Sequence, residues 1–121
     1  MYVVNGIIKY NKIKDETVLH INISNSGTRT LLDNIQKIIQ EYKKNITVIE
    51  LSGSEGDLNE IVAVLKIIHE NGLKTGYSVM NENVSDINDK LLCELDYVDL
   101  NGKIQKIDYC PFADSYDWID V

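Results

Sequence analysis

The sequence predicts an α/β domain: a small, mostly parallel sheet built from βα units, arranged as an open sheet or a partial (βα) barrel. Three observations predict it. Short β-branched runs alternate with helical periodicities, the connections between them are short, and the punctuation comes from Gly, Asn and Asp, with Pro111 the single proline.

Each element follows from its pattern. Tyr2 to Tyr10 is rich in Val, Ile and Tyr and predicts a strand, closed by the polar stretch Asn11 to Glu16. A second strand over Thr17 to Ser24 carries Val18, Leu19, Ile21 and Ile23, with His20 and Asn22 between. Leu31, Leu32, Ile35, Ile38, Ile39 and Tyr42 then share one helical face. Ser26 and Thr28 are candidate caps for that helix, and Lys43, Lys44 and Asn45 mark its end.

Ile46 to Leu51 predicts the next strand, ending at Ser52-Gly53. Asp57 is placed to cap a second helix, with Glu60 as its capping-box partner. Leu58, Ile61, Val62, Leu65 and Ile68 form its apolar face, and Asn71-Gly72 closes it. Lys74 to Met80 is the following strand. A third helix is expected over Ser85 to Leu95, then strands over Tyr97 to Leu100 and Lys103 to Ile107 joined by the tight-turn dipeptide Asn101-Gly102. The acidic, aromatic tail from Asp108 to Val121 completes a single domain over residues 1–121.

Composition narrows the functional classes. The 121 residues carry a formal net charge of -7 and are 44% hydrophobic, so a real core is affordable. Nucleic-acid binding relies on Lys and Arg to displace counterions from phosphates. The acidic balance, with Arg29 the only arginine, argues against nucleic acid and against an anionic membrane surface as partners. No stretch approaches the roughly 20 apolar residues of a membrane span, and MYVVNGIIKYNK lacks the features of a signal peptide. Cys93 and Cys110 do not make a disulfide framework, so a cytoplasmic location is expected.

Ligands of parallel α/β folds bind at the carboxyl ends of strands. Ser52, Gly53, Ser54, Glu55 and Asp57 lie in a loop at such an end, where small residues admit close backbone approach and helix amides favour anions. The alternative is an ordinary glycine-containing βα turn with a capped helix. Cys93 is expected to pack on the apolar side of its helix, with an intersubunit disulfide or shared metal site through Cys110 as the alternative. His20 is expected on a strand face and His69 at a helix C-terminus; neither has the spacing of a zinc ligand. Asp114, Asp117 and Asp120 recur every third residue but lack a calcium-loop pattern. Phe112, Tyr116 and Trp118 are candidate partner anchors, or a cover for an apolar sheet edge.

The order of several segments resembles the radical S-adenosylmethionine (SAM) activating enzymes, closest to the activating protein of anaerobic ribonucleotide reductase. Ile49 to Glu55 is similar to that family's strand ending in a Ser-Gly-Gly-Glu/Asp-Pro loop, with Ser54 for the second Gly and Gly56 for Pro. The helix to Gly72, the Leu73-Lys74-Thr75 turn and the strand after it follow in the same order. Leu95 to Lys103, Pro111-Phe112 with Ser115, Ile119-Asp120-Val121, Val4-Asn5-Gly6 and the strand ending at Ser24 resemble further family segments. The resemblance implies a truncated radical SAM barrel, with Gly53, Ser54 and Glu55 at the positions that contact the amino-acid end of SAM.

One departure alters the expected chemistry. The family carries C-x3-C-x2-C on the loop after its first core strand, whereas here Ser24 passes through Asn25-Ser26-Gly27 directly into a helix. Thiolate ligation of the iron–sulfur cluster is therefore not expected, and Ala113-Asp114-Ser115 replaces the family's Arg-Gly-Ser. The resemblance then implies a non-catalytic scaffold or regulatory domain with no resident cofactor and no assigned catalytic residue. Its partner would be the anaerobic reductase or a second copy of itself. The alternatives are an enzyme that binds SAM or a similar metabolite through the Ser52 to Asp57 loop, and an unrelated α/β binding domain.

Overall fold

The computed structural model describes residues 4–8, 16–23, 28–53, 57–79 and 88–107. The strands are β1 (Val4–Ile8), β2 (Val18–Asn22), β3 (Val48–Ser52), β4 (Lys74–Val79), β5 (Tyr97–Leu100) and β6 (Lys103–Lys106). The helices are α1 (Thr28–Tyr42), α2 (Leu58–Glu70) and α3 (Asp89–Cys93). The fold is α/β with a mostly parallel sheet, as the alternation of patterns predicts.

All six strands join one sheet in the order β1-β2-β3-β4-β5-β6. The pairs from β2 to β5 are parallel, while β1 and β6 add antiparallel edges. Consecutive parallel strands with right-handed crossovers put every connecting helix on the same face. The core agrees: Leu31, Ile35, Ile38 and Ile39 of α1, Ile61, Val64, Leu65 and Ile68 of α2, and Leu91 and Leu92 of α3 form one cluster with Leu19, Ile21, Ile49, Leu51, Tyr77, Val98 and Leu100 of the strands. Among the described residues, all three helices pack on this one face of the sheet.

Local chemistry sets the ends of the elements. Asp57 caps α2, its Oδ1 accepting the Asn59 amide at 2.8 Å and the Glu60 amide at 3.2 Å. The reciprocal half of the expected capping box is absent. The Asp57 amide donates instead to Thr28 Oγ1 at 3.1 Å, and the Thr28 hydroxyl donates to Glu60 Oε1 at 2.6 Å. Thr28 thereby couples the N-terminal ends of α1 and α2. Gly72 follows α2 with φ +80°, where glycine costs least. The Asn101-Gly102 turn has φ of 51° and 98°, the primed two-residue geometry that suits a hairpin between β5 and β6.

Several boundaries differ from the sequence reading. α1 starts at Thr28, which is the first helical residue rather than a cap, and ends at Tyr42 before the two lysines. α3 is only five residues long, Asp89–Cys93, and residues 85–87 of the expected helix lie outside the described ones. The tail 108–121 and Ser26 also lie outside them.

Candidate functional site

Side chains alternate across the sheet, so the residues between the core positions face away from the helices. Register turns them into cross-strand rows. His20 pairs with Glu50, Glu50 with Gly76 and Gly76 with Tyr97. The next row toward the strand ends joins Asn22, Ser52, Ser78 and Asp99.

The middle row is a bonded polar cluster. The Tyr97 hydroxyl donates to Glu50 Oε1 at 2.5 Å, and His20 Nδ1 lies 3.2 Å from Glu50 Oε2. Glu50 and Tyr97 are both fully buried, at 0% exposure. Tyr97 stands on β5 and Glu50 on β3, so the phenol must cross β4, about 9–10 Å for two strand spacings. Gly76 makes the crossing feasible: a Cβ there would fall 2.2 Å from Tyr97 Cζ. Val18, Val48 and Ile104 pack beside Tyr97 on the same face.

A buried carboxylate is costly unless fully bonded. Here one oxygen takes the phenol and the other faces the imidazole. Donation from Nδ1 would fix the tautomer in which Nε2 carries the lone pair, an assignment made from the bonding geometry. Nε2 is itself buried. A carboxylate–imidazole pair of this kind suits proton transfer and also suits a purely structural cross-strand lock.

Ser52, Gly53 and Asp57 occupy the carboxyl end of β3 and the start of α2, as the sequence reading placed them. Ser52 is half-buried, in the row with Asn22 and Ser78. Gly53 has φ +97°, and its carbonyl accepts the Tyr77 hydroxyl at 2.5 Å. With Tyr77 holding Gly53 and Thr28 holding Asp57, both ends of the loop are fixed by neighbouring elements. Ser54 and Glu55 lie outside the described residues, as do Phe112, Tyr116 and Trp118.

Glu50, Tyr97 and Gly76 were not singled out by the sequence reading. The available signal was Glu50 itself, a charge in the middle of the apolar run Ile46 to Leu51. His20 falls on a strand face as expected.

A second polar cluster surrounds His69. His69 Nε2 lies 2.9 Å from Asp96 Oδ2 and 3.0 Å from Thr75 Oγ1, with Glu94 Oε1 3.7 Å from Nδ1. Thr75 Oγ1 donates to the Glu94 carbonyl at 2.6 Å, and its amide donates to Asp96 Oδ2 at 2.8 Å. His69 is thus bonded into the α3–β5 turn rather than simply solvated. This cluster lies at the amino end of β4. At the same end Lys74 pairs with Glu16. The hydrogen bond from Lys74, helped by Thr47, holds the Glu16 carboxyl below the ordinary range, and Glu16 in turn raises Lys74.

Cys93 is half-buried on α3 and disulfide-bonded, which corrects the expectation of a packed free thiol. Cys110 lies outside the described residues. Among the described residues, no group of three or more His, Cys, Asp or Glu is placed to hold a metal ion, and no helix is long and apolar enough to cross a membrane. An activase-type cluster does not fit the donor set, because it needs three thiolates and the chain has two cysteines, one of them Cys93.

Set against family models, curated proteins and solved structures, the chain matches none of them.

Proposed function

We propose that the chain is a non-catalytic scaffold or regulatory domain related to the activating protein of anaerobic ribonucleotide reductase, and that it binds a protein partner in the cytoplasm. The observation that carries this reading is retained element order without the cysteine loop. A strand ending at Ser52-Gly53, a capped α2, the Gly72 turn and β4 follow one another as the resemblance implies. The single-direction winding of β2 to β5 supports a barrel-segment ancestry. The Cys93 disulfide is the feature that pulls against a reducing compartment.

The partner under this reading is the anaerobic reductase or a second copy of the chain, with Phe112, Tyr116 and Trp118 as aromatic anchors. Co-purification with the reductase, run beside a light-scattering mass measurement, tests it. A stable complex or a homodimer, weakened at least tenfold by Trp118→Ala, is the expected result. A monomer that ignores the reductase would overturn the partner assignment.

A second reading has an observation of its own. Tyr77 holds Gly53 and Thr28 holds Asp57, and fixed ends lower the cost of ordering the segment between them around a small ligand. In this reading the loop takes SAM or a similar metabolite, with Glu55 as its polar anchor. Calorimetric titration with SAM should then give a saturable signal that Glu55→Ala removes while circular dichroism stays unchanged. No heat from the unsubstituted protein would dismiss SAM as the ligand.

A further inference from the structure

We draw no further inference here: the strongest candidate, the His20–Glu50–Tyr97 row on the face of the sheet opposite α1, α2 and α3, belongs to the site already described, and nothing among the described residues shows what lies against it.

Discussion

The Tyr97 hydroxyl reaches Glu50 from two strands away, closing a 2.5 Å hydrogen bond over a strand whose facing residue, Gly76, has no side chain. Three strands therefore depend on one another at this point. Tyr97→Phe removes a donor from a buried carboxylate and should cost about 1–3 kcal/mol. Gly76→Ala should cost about 1–3 kcal/mol by overpacking against the ring. In a Tyr97→Ala background the obstruction is gone. There Gly76→Ala should be neutral or stabilising by about 0.5–1 kcal/mol, since glycine within a strand is itself unfavourable. Urea denaturation of wild type, Gly76→Ala, Tyr97→Ala and the double variant gives the coupling directly, and additive costs would contradict the geometry.

Thr28 holds two helix ends through one hydroxyl. Thr28→Val keeps the shape and deletes both bonds, so a loss of about 1–2 kcal/mol is expected. Thr28→Ser should recover most of it. Thermal unfolding followed by circular dichroism checks the order wild type, Ser, Val. Equal losses for Ser and Val would mean that the methyl group, not the hydroxyl, matters.

The Glu16–Lys74 pair predicts a particular pH dependence. Glu16 is depressed, chiefly by its hydrogen bond from Lys74. Its contribution is present above the ordinary carboxylate range and fades as acid carries the pH down through the lowered value. Lys74 is raised, chiefly by its hydrogen bond to Glu16. Its contribution is full below the ordinary lysine range and is lost as the pH climbs through the raised value. Lys74 is largely solvent-exposed, so the pair should be worth only about 0.2–1 kcal/mol near neutrality. Glu16→Gln should therefore be slightly less stable than wild type at neutral pH and equally stable in strong acid. A gap that persists in acid would assign the effect to packing.

The hairpin between β5 and β6 rests on positive φ at both turn residues. Gly102→Ala should lose about 1 kcal/mol from strain at φ +98° even though the space around it is open. Asn101→Gly should be tolerated, because glycine accepts the same φ. Amide exchange along Lys103–Lys106 should quicken in the Gly102 variant before the rest of the sheet responds.

Elements with a local cause were legible from the residues. The i, i+4 spacing of Leu31, Ile35 and Ile39 fixes α1, Asp57 fixes the start of α2, and Asn101-Gly102 fixes the last turn. The polar row on the face opposite the helices was not legible, because its meaning depends on register. His20 and Glu50 are 30 positions apart and Tyr97 lies 47 beyond Glu50. Only pairing shows that Gly76 stands between them. The capping box was half legible: Glu60 sits at the right spacing, but Thr28 from another helix takes its carboxylate.

The strand order itself bears on how the chain reaches its fold. Since every strand pairs with its neighbour in sequence, no strand has to wait for one beyond the next. The parallel pairs join residues far apart in sequence, such as His20 with Glu50 and Gly76 with Tyr97, so they close more slowly than the hairpin between β5 and β6. The strand order nevertheless permits assembly in the direction of synthesis. The β2-α1-β3 unit is complete by Ser52, so each later strand can add to an edge already formed as it leaves the ribosome.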